Sequence, residues 1–201
     1  MNNDIIDLVS ECEKILPHFH IPLQSGSDKI LKLMKRRYLR NIYEKRFDYI
    51  KKRIPNACIG SDVIVGFPGE DNLEFKETYD FLKSIDISYL HVFSYSERSN
   101  TTSVLINNKV SKNLKNKRSK LLRELSNSKK LEFYKKNIKN YHNVLFEKEN
   151  KNGYIYGYTE NYIRVKSLWS NSKQNKILNC YLGRIDSDFN CLAEEFAELK
   201  V

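Results

Sequence analysis

A chain of 201 residues with 40% apolar content can build one domain or two modest ones, and is not a disordered tail. It has no run of about 18 uncharged apolar residues. Its acidic opening, MNNDIIDLVSECEK, lacks the basic start and apolar stretch of a signal peptide, so the expectation is a cytoplasmic protein with no membrane partner. The net charge of +10 is unevenly placed: residues 28–53 carry +8 and 107–143 carry +10, around a middle segment at −5. That distribution suits contact with a polyanion, and equally the bias of a Lys- and Asn-rich sequence.

In chain order, Ile5, Leu8, Cys12 and Ile15 or Leu16 stand near helical spacing over 4–16, a helix stopped by Pro17. The segment FHIPL at 19–23 reads as a strand. Ser27 is placed to cap a following helix that turns Ile30, Leu31 and Met34 inward. A second helix covers 40–53 and is closed by Pro55. The β-branched, nearly uncharged run ACIGSDVIVGF at 57–67 reads as a strand covered on both faces. After Pro68–Gly69, Phe75, Tyr79 and Leu82 mark a helix to about residue 85, and YLHVFSYS at 89–96 is the next strand. This alternation predicts a parallel α/β unit of three strands, too few for a closed barrel.

Residues 109–139 read as a basic helical stretch without Gly or Pro, one helix or two, with Leu114, Leu121, Leu122, Leu125 and Tyr134 as its apolar set. Beyond it, short runs rich in Tyr, Ile and Val, divided by Gly, Asn and Asp, predict a small antiparallel β-barrel at 141–201. Strand alternation puts Tyr154, Tyr156 and Tyr158 on one face, and about half of the tyrosines in this region are expected in the core. Rings that stack on bases and cations that hold phosphates make Tyr158, Tyr162, Arg164 and Lys166 candidate RNA-binding residues.

In parallel α/β domains ligands bind where strands end and helices begin. Three such ends are visible. The first carries Gln24, Ser25, Gly26 and Ser27, which are either polar ligand contacts or a plain turn and cap. The second carries Asp62, Gly66, Gly69 and Glu70, where Glu70 is alternatively a first-turn carboxylate favoured by the helix dipole. The third carries Ser94, Tyr95, Ser96, Glu97 and Arg98. Gly66–Gly69 fits neither a dinucleotide fingerprint nor a phosphate loop. Four cysteines (12, 58, 180 and 191) have no short ligand spacing, and His18, His20 and His91 form no local ligand motif, so no metal ligands are assigned.

HIPLQSGSDKILKLMKRRY (20–38), SDVIVGFPGE (61–70) and HVFSYSERSNT (91–101) together resemble the second half of the radical S-adenosylmethionine domain of the tRNA methylthiotransferases. The C-terminal part resembles the TRAM domain of that family, and GYTENYIRVK (157–166) is most similar to the branch acting on threonylcarbamoyl-adenosine. The fold implied is α/β: the second half of a radical-SAM partial (β/α) barrel over 1–106, a basic helical connector over 107–140, and a TRAM-like RNA-binding barrel over 141–201.

The resemblance implies methylthio transfer to carbon 2 of a modified adenosine beside the anticodon, with S-adenosylmethionine, two four-iron four-sulfur clusters, a reductant and tRNA as cofactors and partners. By motif match, Gln24, Ser25, Asp62, Ile64, Gly66, Phe67, Glu70, Ser96 and Arg98 fall on cofactor-binding segments; no catalytic residue is assigned. The family's CxxxCxxC loop does not occur in these residues, so the chain is expected to be inactive alone. The readings left open are a C-terminal part working with a separately encoded N-terminal half, a partial gene model, a non-catalytic tRNA-binding remnant, or a part of an isopentenyl-adenosine enzyme. The exposed sheet edge of a half barrel is expected to make the chain marginally stable or aggregation-prone by itself. The family's usual R-x-G-T reads Arg98-Ser99-Asn100-Thr101 here, where Asn must take the place of Gly in the turn.

Overall fold

The computed structural model describes residues 2–197; residues 198–201 of the expected barrel segment lie outside the described residues. The chain divides into two compact units. One comprises the residues up to Ser10 together with Phe19–Lys130, and the other Glu11–His18 together with the chain from Leu131 onward.

The first unit is α/β. Helix α1 (Asn3–Glu11) leads to strand β1 (His18–His20), helices α2 (Asp28–Leu33) and α3 (Arg40–Arg53), strand β2 (Cys58–Val65), helix α4 (Asn72–Ser84) and strand β3 (Tyr89–Ser94). Helix α5 (Lys112–Asn137) follows as one uninterrupted element. The sheet order is β1-β2-β3, with β2 and β3 parallel in the register Asp62↔His91 and Ile64↔Phe93.

This sheet is covered on one face only. Ile59, Val63 and Val65 of β2 and Leu90 of β3 pack with Tyr43, Phe47 and Ile50 of α3, Phe81 and Leu82 of α4, and Leu122 and Leu125 of α5. Each such side chain removed from water contributes about 1.5–3 kcal/mol. On the opposite face Asp62 and Ile64 are half-buried, and His91 and Phe93 are exposed. The expectation of a strand covered on both sides therefore holds for Cys58–Ser61 and fails at Asp62 and Ile64. The reason is that in this part of β2 the helices pack against Val63 and Val65, on the other face.

Two local expectations also shift. Helix α1 ends at Glu11, and its core contacts are Ile6 and Val9, while Ile5, Leu8, Ile15 and Leu16 are exposed. Ser27 occupies the N-cap position of α2, but its hydroxyl makes no cap hydrogen bond and is buried without a partner. By contrast, α4 starts with a full capping box: Asp71 accepts from the Leu73 and Glu74 amides, and Glu74 accepts from the Asp71 amide.

The second unit holds strands β4 (Asn140–Phe146), β5 (Tyr154–Thr159), β6 (Arg164–Leu168), β7 (Ile177–Ile185) and β8 (Cys191–Ala197), closed in the order β4-β5-β6-β8-β7. Four of the pairings are antiparallel; the closure between β6 and β8 is parallel, at Val165↔Cys191 and Lys166↔Leu192. Val144, Phe146, Ile155, Ile163, Val165, Cys180, Leu182 and Cys191 fill its interior. Tyr154, Tyr156 and Tyr158 all lie on the outer face, because the alternation that buries Ile155, Gly157 and Thr159 turns every one of these rings outward. The expected share of core tyrosines is thus absent from β5.

No helix among the described residues is long and apolar enough to cross a membrane.

Candidate functional site

The end of β1 leads into a turn in which Gln24 adopts a left-handed backbone, φ 70°. Its amide donates to the Asp62 carbonyl at 2.8 Å, and its carbonyl accepts from the Ile64 amide at 2.9 Å. Its side-chain oxygen accepts from Arg36 Nη2 at 3.1 Å. Ser25 Oγ lies 3.2 Å from Thr78 Oγ1, which also accepts from the Gly26 amide at 3.0 Å. A Cβ at Gly26 would stand 2.7 Å from the Thr78 Cα, so this turn rests directly on α4. Ser25 is fully buried in that contact, while Gln24 shares its carboxamide with Arg36.

Gly66 and Gly69 at the exit of β2 both have positive φ, 75° and 89°. The Gly66 amide donates to Glu70 Oε1 at 2.8 Å, and Arg118 Nη1 donates to the same oxygen at 2.7 Å. Arg118 also reaches the Glu70 carbonyl and Asn72 Oδ1, and its guanidinium lies 5.2 Å from the Phe75 ring centre. Both side chains are almost wholly buried. Burial pushes the Glu70 carboxyl up, against the opposing pull of the Gly66 amide and Arg118. Glu70 precedes the first turn of α4 and ties the β2 exit to α5.

Ile64, Ser96 and Arg98 come together in an open pocket of about 370 Å³ that also includes Ser94, Tyr95 and Thr101. Ile64 and Phe67 share a neighbouring pocket of about 230 Å³ with Arg36 and Tyr95. Phe67 meets Tyr95 edge-on at 5.0 Å, and Lys115 Nζ holds the Tyr95 carbonyl at 3.1 Å. Asn100 takes φ 71°, so it does adopt the left-handed turn in place of glycine. Ile64, Phe67, Ser96 and Arg98 thus line two neighbouring pockets that share Ile64 and Tyr95, whereas Ser25, Gly66 and Glu70 make internal hydrogen bonds.

The open sheet face carries a group that local spacing does not reveal. His20 Nε2 lies 2.8 Å from Asp62 Oδ1, and His91 Nδ1 lies 3.4 Å from the same oxygen. Three adjacent strands bring them together, His20 and Asp62 from 42 positions apart in the chain.

On the barrel, Arg164 makes a bidentate pair with Glu147 and lies 4.5 Å from the Tyr158 ring centre and 5.0 Å from that of Tyr156. The guanidinium holds Glu147 below the usual carboxylate range. Lys166 pairs with Asp186 at 3.2 Å and lies 4.4 Å from the Tyr154 ring centre. Tyr158 stacks on Tyr162 at 4.6 Å, and Tyr162 on His18 at 4.0 Å. The structure therefore gathers the predicted aromatic residues into one surface, and each predicted cation has a carboxylate partner that sequence reasoning missed.

Cys58, Cys180 and Cys191 are buried, and Cys12 is half-buried. Burial pushes the Cys58 thiol up to about 11 and the Cys180 thiol up to about 12, which opposes the thiolate form that ligation needs. Among the described residues no cysteine belongs to a group of metal-binding geometry.

Residues 1–82, from α1 into α4, match the Radical SAM superfamily. Over 166 residues, 83% of the chain, the sequence is 44% identical to the threonylcarbamoyladenosine tRNA methylthiotransferase MtaB of Aquifex aeolicus, and covers 39% of that protein. The corresponding enzyme of Bacillus subtilis is 38% identical over 174 residues, 82% of this chain and 38% of its own length. The tRNA-2-methylthio-N(6)-dimethylallyladenosine synthase of Clostridium tetani is 39% identical over 156 residues, 76% of this chain and 34% of its own length. The chain is a relative of the radical SAM tRNA methylthiotransferases, and it spans about two-fifths of the length of the MtaB proteins it matches.

Proposed function

We propose that these residues form the C-terminal part of a tRNA methylthiotransferase: the second half of its radical SAM barrel and its TRAM domain. The observation that carries this reading is the 44% identity to a threonylcarbamoyladenosine enzyme across 83% of the chain. In this assignment residues 1–106 belong to the catalytic barrel, 107–140 are a basic connector and 141–201 bind tRNA. The open face of the sheet lines the interior of the barrel. Ile64, Phe67, Ser96 and Arg98 hold S-adenosylmethionine where the two pockets meet, with Gln24 beside them through Arg36. Ser25, Gly66 and Glu70 shape that cradle from beneath, and Asp62 presents its carboxylate on the same open face.

The cofactor, once its cluster is supplied, provides radical chemistry for methylthio transfer to N6-threonylcarbamoyladenosine. The cluster ligands come from sequence other than the four cysteines present here. Tyr158 and Tyr162 offer ring faces to RNA, while Arg164 packs on Tyr158 and Lys166 on Tyr154, and both add positive charge to the surface. Mass spectrometry of tRNA nucleosides from cells lacking the gene tests the assignment. Loss of the 2-methylthio form of N6-threonylcarbamoyladenosine is the expected result. Loss of the dimethylallyl product instead would favour the second branch, to which the 39% identity over 156 residues also points. An unchanged nucleoside profile would leave a non-catalytic tRNA-binding chain.

A further inference from the structure

We propose that His20, Asp62 and His91 form a mononuclear site for a zinc-class divalent cation on the open face of the β1-β2-β3 sheet. One donor atom from each residue, a ring nitrogen of His20, a ring nitrogen of His91 and an Asp62 carboxylate oxygen, lies within 4.8 Å of the others. The two separations at Asp62 Oδ1 are 2.8 and 3.4 Å. Donors held about 2.0–2.2 Å from such an ion stand roughly 3–3.5 Å apart, so small rotations of the side chains suffice to admit it. Two imidazoles and one carboxylate are the donor set that first-row divalent ions of this class accept, with the remaining positions left to water.

The surroundings favour a cation. The Asp62 carboxylate has no Lys or Arg partner among the described residues; its partners are the two imidazoles. The second nitrogen of His20, Nδ1, lies 3.5 Å from the Tyr89 hydroxyl, an outer contact that orients the ring. Tyr89 is seated by Gly60, whose backbone lies under the phenol: a Cβ there would stand 2.1 Å from the ring. The three donor side chains are 25–55% exposed, which leaves room for water ligands and for entry of the ion. This site does not depend on the methylthiotransferase reading.

Titration of the metal-free 201-residue chain with cobalt(II) tests the proposal. Visible d–d bands should saturate at one equivalent and be bleached by zinc(II). Asp62→Asn and His91→Ala should each weaken binding by roughly 100-fold, and the positioning variant Tyr89→Phe by about tenfold; His142→Gln, on the barrel, should bind as the parent does. In the unsubstituted protein, zinc should shift the imidazole NMR signals of His20 and His91 and not those of His142, a readout that no folding defect can blur. Absence of saturable binding by the folded chain overturns the proposal, as does binding that survives Asp62→Asn and His91→Ala or that moves His142 instead.

Discussion

The barrel and the three-stranded sheet meet the same physical demand in opposite ways. The barrel pairs each strand with two neighbours and turns its apolar alternation inward, so no strand edge remains, and Arg164 and Lys166 on its outer face sit beside carboxylates. The α/β sheet ends at β1 and β3, buries one face under helices and leaves on the other a polar, aromatic surface with Phe93 half exposed. What differs is closure: the barrel strands each have two paired neighbours, whereas the sheet has edges at β1 and β3, whose unpaired backbone groups are available for further pairing.

The largest expected effect is on the unit with buried charge. Arg118→Ala removes the partner of Glu70 and should cost about 3–5 kcal/mol in that unit. Trp169, the single tryptophan of the chain and part of the barrel unit, should report an unshifted barrel transition in the same denaturation series. Coincident loss of both signals would break the comparison. Gly26→Ala drives a methyl against the α4 backbone and should cost about 1–3 kcal/mol, again visible by circular dichroism and not by Trp169 fluorescence.

A smaller effect belongs to the barrel and depends on pH. Both His142 nitrogens face acceptors, Glu160 Oε1 at 2.8 Å and the Asn137 carbonyl at 3.0 Å, an arrangement that only the doubly protonated ring satisfies. Burial opposes the charge on His142, but its hydrogen bond to Glu160, the charge of that carboxylate and its bond to the Asn137 carbonyl together outweigh that, and the group is shifted upward. Burial likewise opposes the charge on Glu160, and its hydrogen bonds from His142 and the Asn143 amide shift it downward. The imidazolium contribution is therefore complete below about pH 6.5 and lost as pH rises through the raised folded-state value. The carboxylate contribution is complete above about pH 4.5 and lost as pH falls through the lowered value. Barrel stability followed by Trp169 should peak between those limits, and His142→Gln should lower the peak by about 1–2 kcal/mol and flatten the alkaline side.

The smallest change sharpens the RNA assignment. Arg164→Ala should weaken tRNA binding by about 1 kcal/mol at low salt, because it loosens the Tyr156 and Tyr158 rings as well as removing a charge. Tyr162→Ala should weaken it by a similar amount with the salt dependence unchanged. Filter-binding curves at two salt concentrations separate the two, and unaltered affinity for both variants would remove this surface from the interface.

What the sequence made legible was whatever depends on near neighbours. Helix α3 is observed as Arg40–Arg53, the span expected for 40–53, since its apolar spacing and the closing Pro55 are local signals. Strand β2 and the alternation in β5 were equally plain. The face of α1 was misjudged because Ile5/Leu8 and Ile6/Val9 have the same helical spacing, and only the packing partners choose between them. The Arg118–Glu70 pair, 48 positions apart, and the meeting of His20, Asp62 and His91 arise from topology, and no window of sequence contains them. Four of the residues expected at the cofactor line the two adjoining pockets, while others hold the turns behind them, a division that side-chain geometry alone reveals.

Gln24 keeps a left-handed backbone that a side-chain-bearing residue adopts only at a cost of about 1–2 kcal/mol. Glycine would relax that conformation, but it would surrender the carboxamide that grips Arg36. The position is thus a compromise between endurance and recognition: Gln24→Gly should raise the melting temperature of its unit while freeing Arg36 to swing away from the pocket rim.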